Sequence, residues 1–244
     1  MKNLYKQGSD WKNISKLILI PILVLGCMIL FSYSYMFFLK NNQTDEYSSA
    51  LTISTENMLN PEIHILREKY KNNDIIGYLN IEDTRIDYPV VQTFNNYYYL
   101  YHDIYKEPND AGWIFLDCNN DISCNDNNII IYGHNMKMDY RFHTLRYYAD
   151  ENFFKLHPII TFNTLYGNYQ WQVFTFFSTR FSYIYTTVFV EDDTRWMEIL
   201  AQLKTLSMYD TKVDIVDDDK ILLLSTCTDE IDATRYILGA KLIT

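Results

Sequence analysis

The chain has 244 residues, of which 48% are hydrophobic and 16% aromatic, and this composition excludes wholesale disorder and a fibrous or low-complexity protein. The first 40 residues hold five lysines and one aspartate, which leaves 16 basic and 30 acidic residues, a net charge of −14, in the rest. Because nucleic-acid binding requires a basic surface, we expect no nucleic-acid partner.

Residues 17–39 form a run without a charged side chain that is long enough to cross a bilayer as one helix. Four lysines precede this run, so the positive-inside rule places residues 1–16 in the cytoplasm and the rest of the chain outside the cell. A cleaved signal peptide fits less well, because no small-residue cleavage site follows. Lipoprotein cleavage at Cys27 also fits less well, because apolar residues continue beyond it. We therefore expect an uncleaved, single-pass membrane anchor.

Residues 40–73 are expected to form a stalk and one or two N-terminal helices ahead of a main domain over 74–244. The stalk is polar, whereas apolar residues in 56–70 recur close to helical spacing. Asn60-Pro61 is typical of a helix start, since proline is well tolerated in the first turn.

From residue 75 onward, short runs rich in β-branched and aromatic residues predict strands. The eight runs cover residues 75–81, 85–92, 112–117, 128–132, 159–164, 169–178, 221–226 and 235–243. This number of strands predicts a mainly-β fold with a closed or nearly closed barrel. Two helical interruptions are expected, over 142–156 and 193–206. The second has Trp196, Ile199, Leu200 and Leu203 on one face and possible cap residues at 192–194.

Cys227 ends one of these apolar runs and is followed by polar residues, which predicts that its strand emerges at a rim. His134 follows a second run, where Gly133 predicts a tight turn, and Arg235 stands eight residues after Cys227. Read singly, they are a buried strand cysteine, a turn histidine and a surface ion-pair arginine. Together they supply a nucleophile, an acid–base group and an oxyanion stabiliser for acyl transfer.

Other candidates for chemistry are weaker. The remaining histidines lack a preceding strand; they are His64, His102, His143 and His157. Cys118 and Cys124 flank a polar loop and form either a small disulfide or, the reading we favour, two free thiols. Further ligands at close spacing are missing around them, so we expect no metal site.

Residues 99–117, 128–148 and 222–242 resemble the class B sortases of Gram-positive bacteria. The family signature around its nucleophile reads T-L-x-T-C, and Leu223 stands here in place of the first threonine. The resemblance implies an eight-stranded β-barrel with N-terminal helices and a helix between the sixth and seventh strands. It also implies catalytic roles for His134, Cys227 and Arg235. Substrate contacts are expected from Ser225, Thr226 and Asp229.

The implied reaction is transpeptidation at the cell surface without a cofactor. A thioester acyl-enzyme would form at a Thr–Gly-type bond in the C-terminal sorting motif of a surface protein, and a peptidoglycan amine would release it. Rival interpretations are another extracellular cysteine peptidase, an L,D-transpeptidase or a non-catalytic binding module. Papain-like peptidases place Cys before His, L,D-transpeptidases have glycine beside the cysteine, and a binding module needs no such residue set.

Overall fold

A computed structural model describes residues 60–136, 140–180, 186–190, 192–227 and 234–244, with the backbone alone at Cys227. The predicted membrane anchor, the stalk and Asp229 lie outside these ranges. Residues Leu59–Thr244 form one compact unit. Among the described residues, no helix combines the length and apolar character needed to cross a bilayer, so the predicted anchor over 17–39 stays a prediction.

Helix α1 spans Pro61–Tyr70 and begins where the Asn60-Pro61 pair predicted. The Asn60 side chain accepts a hydrogen bond from the Glu62 N–H at 3.0 Å, which satisfies one of the donors that a helix start leaves open. Lys71 adopts a left-handed conformation (φ 51°) that ends the helix. Of the one or two N-terminal helices expected, one lies in the described part of the chain.

Eight strands close into a barrel in the order β1-β2-β3-β4-β7-β8-β6-β5, which confirms the predicted fold class. They are β1 (Ile75–Asn80), β2 (Asp87–Val91), β3 (Phe115–Leu116), β4 (Asn128–His134), β5 (Ile159–Thr164), β6 (Asn168–Thr179), β7 (Ile221–Cys227) and β8 (Arg235–Leu242). The pairs β2–β3 and β4–β7 are parallel, and the other neighbouring pairs are antiparallel.

Two strand boundaries differ from the prediction. Strand β3 is shorter than expected: it spans Phe115–Leu116, and Gly112, the first residue of the predicted run, adopts a left-handed conformation (φ 52°). Strand β4 runs on through Gly133 to His134, so the tight turn expected at Gly133 is wrong. A Cβ at Gly133 would lie 2.4 Å from Ile114 Cδ1 and 2.9 Å from the Phe142 ring. The glycine is therefore required by close packing and not by a turn.

The first predicted helical interruption is divided in two. A 3-10 helix covers Phe142–Ala149, and helix α2 follows over Glu151–Leu156. Asp150 lies between them in an extended conformation, and its carboxylate accepts the backbone N–H groups of Asn152 and Phe153. A cap residue cannot continue the preceding turn, and this divides the segment.

Helix α3 spans Asp193–Leu206 between β6 and β7, the place predicted for it. The Asp192 carboxylate accepts the Arg195 N–H at 2.6 Å and caps the helix. The face predicted from the periodicity is the buried one; it comprises Trp196, Ile199, Leu200 and Leu203.

The apolar residues form three clusters that follow the alternation of the strands. The barrel interior takes residues from all eight strands, among them Ile131 on β4, Leu224 on β7 and Leu238 on β8. On the outside, one cluster lies beneath α1, on strands β1 to β4. The other lies beneath α3, on strands β6 to β8. Strands β4 and β7 are thus apolar on both faces, as buried parallel strands usually are.

Candidate active site

His134 and Cys227 form the last pair of the β4–β7 ladder. Seven consecutive pairs join these parallel strands, from Asn128↔Ile221 to His134↔Cys227. The two residues are 93 positions apart in the sequence, and the register of two buried strands brings their backbones side by side.

Arg235 is the first residue of β8, on the other side of β7. The antiparallel β7–β8 pairs run from Ile221↔Lys241 to Ser225↔Ile237. Continuing that register by two positions brings Cys227 opposite Arg235. Arg235 is itself paired with Thr179 on β6. The three predicted catalytic residues therefore lie at the same end of three neighbouring strands.

His134 lies on the outer face of the barrel, on the same side of β4 as Ile130 and Tyr132, since strand side chains alternate. Its side chain is 8% exposed. Tyr132, two residues earlier, is paired with Ser225 on β7 and is equally buried. Tyr132 thus lies beside His134 on the same face of β4.

A buried carboxylate holds the Tyr132 side chain in place. Asp117 is 3% exposed, and one of its oxygens, Oδ2, accepts hydrogen bonds from the Tyr132 hydroxyl at 3.0 Å and from Asn96 Nδ2 at 2.9 Å. Its other oxygen, Oδ1, accepts the backbone and side-chain N–H groups of Asn119. Asp117 therefore ties strand β4 to the loop that follows β2. The sequence carries no signal for this role, because an aspartate after a strand is ordinary at a turn.

Arg141 holds the chain on the far side of His134. It pairs with Asn135 in an isolated bridge and is 5% exposed. Its guanidinium stacks over the Trp113 ring at 4.0 Å and donates two hydrogen bonds to the Gly112 carbonyl. Burial lowers the pKa of Arg141 from its ordinary value. This residue was also missed, because its partners are distant in sequence.

Two of the three residues predicted to contact the substrate lie in the part of the chain that the structure describes. Ser225 and Thr226 are buried, with 0% and 1% of their surfaces exposed. The Thr226 hydroxyl oxygen accepts the Tyr236 N–H at 2.9 Å. Substrate contact by any of the three stays a prediction, and Asp229 lies outside the described residues.

The competing histidines lie outside β4 and β7, although His143 contacts the side chain of Asn135, the residue after His134. His64 lies within α1. The ring nitrogens of the others contact local groups: His102 the Tyr98 carbonyl, His157 the Phe153 carbonyl, and His143 the side chains of Asn135 and Arg146. His134 is therefore the histidine whose strand position matches that of Cys227.

Cys118 and Cys124 are free thiols, as favoured above. Burial raises the pKa of Cys124 to about 12, and that of Cys118 is also raised, again mainly by burial. Both thiols are therefore poor nucleophiles at neutral pH. Across the described ranges, no group of three histidine, cysteine or acidic side chains could hold a metal ion.

Leu223, the departure from the family signature, is fully buried in the cluster beneath α3. It is paired with Ile130 on β4 and with Gly239 on β8. A Cβ at Gly239 would lie 3.0 Å from Leu223 Cδ2, so the leucine fills the space above this glycine. The replacement of threonine is thus accommodated by apolar packing.

Comparison with known proteins gives the family. The Sortase domain family matches residues 79–243. The chain belongs to the sortase family. The sortase B of Listeria monocytogenes is 36% identical over 212 residues, which cover 84% of this chain and 86% of that protein. The sortase B of Staphylococcus aureus is 29% identical over 235 residues, which cover 93% and 96%. These relatives place the chain in class B, whose members are cysteine transpeptidases.

Solved sortase B structures share the fold. The Listeria monocytogenes sortase B structure superposes with a TM-score of 0.66 at 35% identity, covering 71% of this sortase and 97% of that chain. A Staphylococcus aureus sortase B–substrate complex superposes with a TM-score of 0.71 at 30% identity, covering 83% and 94%. The sequence resemblance is thereby confirmed, and the rival classes are excluded.

Proposed function

We propose that this class B sortase joins surface proteins to the cell wall through a thioester on Cys227. The observation that carries the proposal is the His134↔Cys227 pair at the end of the β4–β7 ladder. Paired strand positions present their side chains to one face of a sheet, which supports a thiol and an imidazole acting together. The Staphylococcus aureus relative has been solved as a substrate complex, which supports a peptide substrate.

In the first half-reaction, the Cys227 thiolate attacks the carbonyl carbon of a Thr–Gly-type bond in the sorting motif. The carbonyl electrons move to oxygen, and the Arg235 guanidinium stabilises this oxyanion. When the tetrahedral intermediate collapses, the C–N bond breaks and His134 gives its proton to the departing amine. A thioester joins the threonine carbonyl to Cys227.

In the second half-reaction, a peptidoglycan amine attacks the thioester carbonyl. His134, now neutral, takes a proton from the attacking nitrogen. The C–S bond breaks, the thiolate returns and a new amide joins the surface protein to the cell-wall precursor. Water can replace the amine slowly, which gives hydrolysis.

Membrane anchoring by residues 17–39 is the second part of the proposal. The charge asymmetry around that run supports a cytoplasmic N-terminus and an extracellular barrel. A tethered enzyme meets tethered substrates at a raised effective concentration. Protease added to intact cells should degrade the barrel and leave a tag at the N-terminus protected. Degradation of that tag in intact cells would contradict the orientation.

The catalytic proposal is tested with the full chain, a peptide library containing Thr–Gly bonds and an amine acceptor. Mass spectrometry should detect an acyl-enzyme on Cys227 and a product joined to the amine. Cys227→Ala should abolish both, whereas Cys118→Ala, which removes a loop thiol, should abolish neither. Cleavage by Cys227→Ala at the wild-type rate would overturn the mechanism.

A further inference from the structure

Three side chains form a hydrogen-bonded row beside the end of strand β4. Asn135 directly follows His134, the last residue of β4. The Oδ1 atom of Asn135 lies 2.9 Å from His143 Nδ1, and His143 Nε2 lies 2.9 Å from Arg146 Nη1. His143 and Arg146 share the solvent side of the 3-10 helix, because residues three positions apart lie above one another in such a helix. The row therefore links the residue after the proposed acid–base group to a separate element.

The chemistry of the side chains determines which atom donates in each of these contacts. An arginine guanidinium donates hydrogen bonds and cannot accept them, so His143 Nε2 is an acceptor and carries no proton. In the neutral ring the proton is then on Nδ1, which donates to the Asn135 Oδ1 atom. The Asn135 amide is thus held by a donor of fixed direction, and Arg146 maintains the tautomer that supplies it.

The 3-10 helix gives His143 a rigid support. The other side of this helix is buried: Phe142, Leu145 and Tyr148 are each 0% exposed and belong to the apolar cluster inside the barrel. Phe142 also packs against the end of β4, since a Cβ at Gly133 would lie 2.9 Å from its ring. The position of His143 relative to β4 is therefore set by the packed core.

The chain leaves the β4–β7 ladder at His134. In the part of the chain that the structure describes, the last ladder pair is His134↔Cys227, and Asn135 is joined to Arg141 by an isolated bridge. The His134 imidazole must keep its orientation through both proposed half-reactions, first as an acid and then as a base. The ladder fixes the chain before His134, and the contact of Asn135 with His143 fixes it afterwards.

We propose that His143 is a positioning residue that holds the end of β4, and with it the His134 imidazole, through Asn135. It acts through the Asn135 amide and transfers no proton in the reaction. The inference rests on the proposed role of His134 and adds what fixes that residue beyond the ladder. Without the Nδ1 donor, the Asn135 side chain changes rotamer, the backbone beside His134 moves, and the imidazole is less often within reach of the reacting groups.

Two substitutions of His143 separate its two contacts. Asparagine places an N–H donor near the position of Nδ1, whereas glutamine places an oxygen near that of Nε2 and leaves no donor at Nδ1. We expect His143→Gln to lower kcat for peptide cleavage by the full chain about fivefold, the effect of roughly 1 kcal/mol in the transition state, with KM within about twofold. His143→Asn should recover most of kcat. Equal kcat values in the two variants would overturn the proposal.

His157→Gln is the matched control. His157 is also a partly exposed histidine, and its Nδ1 lies 2.8 Å from the Phe153 carbonyl on α2. The substitution therefore removes an equivalent donor at a position that is not joined to the residue after His134. We expect His157→Gln to lower the melting temperature about as much as His143→Gln does and to leave kcat within about twofold of wild type. A fivefold loss of kcat in this control would show that the effect is not specific to His143.

A double-mutant cycle identifies the route of the effect. If His143 acts through Asn135, Asn135→Ala should lower kcat by a similar factor, and adding His143→Gln should then lower it by less than about twofold more. If His143→Gln does not fold, Asn135→Ala takes its place in the comparison with the control. Additive losses, or a wild-type kcat in Asn135→Ala, would overturn the proposal. The Cys227→Ala experiment involves neither residue, so failure of the proposed function is distinguishable.

Discussion

The two edges of β7 differ at the end of the strand that carries Cys227. On the β4 edge, backbone pairing continues to the His134↔Cys227 pair. On the β8 edge, pairing ends at Ser225↔Ile237, and the Thr226 hydroxyl contact follows. The separation of His134 from Cys227 is thus set by the backbone. On the β8 side, Arg235 pairs with Thr179 on β6, and the next residue, Tyr236, is joined to Thr226.

This difference suits the two proposed roles. Proton transfer requires an acid–base group within hydrogen-bond reach of the reacting atoms, and a continuous ladder provides a fixed distance. Oxyanion stabilisation requires donors that are aimed at the substrate carbonyl oxygen, and Arg235 lies at the end of β8, where backbone pairing with β7 has already ended. We expect changes on the β4 edge to affect chemistry and folding together, and changes on the β8 edge to affect chemistry more selectively.

The largest loss of activity is expected for His134→Gln, on the β4 edge of β7. Glutamine keeps a polar side chain of similar size but cannot act as an acid or a base, so kcat/KM should fall by about a thousandfold. Steady-state cleavage of a fluorogenic sorting peptide measures this. His102→Gln is the control and should change the rate little. A loss below tenfold in His134→Gln would remove His134 from the proton-transfer steps.

Arg235→Lys tests the β8 edge of β7. It should lower kcat by about a hundredfold, because a point charge replaces a fork of fixed donors. The melting temperature should change little. Arg195→Lys is the control, since Arg195 lies exposed on α3 in an ion pair with Glu198 at 2.9 Å. A near-normal rate in Arg235→Lys would leave Arg235 with a structural role alone.

Leu223→Thr restores the family signature beneath the site and separates stability from chemistry on β7. It places a hydroxyl in a fully buried apolar cluster and should lower the free energy of unfolding by about 3 kcal/mol. Urea denaturation measures this loss, and kcat/KM of the folded protein should stay within about twofold. Leu206→Thr, at an exposed leucine, should cost less than about 1 kcal/mol. Equal losses in both variants would contradict the packing role of Leu223.

Gly133→Ala changes only the side-chain packing on the β4 edge of β7. The new methyl group meets Ile114 and Phe142 at distances that force one of them to move, and such overpacking costs about 2 kcal/mol. Guanidinium unfolding at equilibrium measures it. Gly167→Ala is milder, because its methyl group meets only the end of the partly exposed Tyr169 side chain and no buried residue. A fully stable Gly133→Ala variant would show that the barrel adjusts at this position.

The smallest expected effect is a pH-dependent change in stability at Cys124. Its thiol is un-ionised at neutral pH, so alkylation can be used to study Cys227. Burial raises its pKa from 9.0 to about 12, so its neutral form adds stability below pH 9. Between pH 9 and 12 the unfolded chain ionises first, and wild type should lose stability relative to Cys124→Ala. Urea unfolding at pH 8 and pH 10 measures the difference. A difference independent of pH would contradict the shift.

Local pattern predicted most of the fold, because helix caps and periodic apolar residues act over a few positions. The start of α1 at Asn60-Pro61, the buried face of α3 and eight strands were all predicted. The errors occur where a distant contact overrides the local preference. Gly133 suited a turn but is needed as a strand residue beside Ile114 and Phe142.

For the site, the sequence by itself determined which groups were candidates, since thiol, imidazole and guanidinium chemistry belongs to residue types and a family signature preserves their order. Only the tertiary structure decided that β4 and β7 pair in parallel as far as Cys227, that the β7–β8 pairs end two residues earlier, and that Asp117 holds Tyr132 on the face of β4 that carries His134. These features depend on strand register and on side chains far apart in the chain. Short-range pattern carries no information about either.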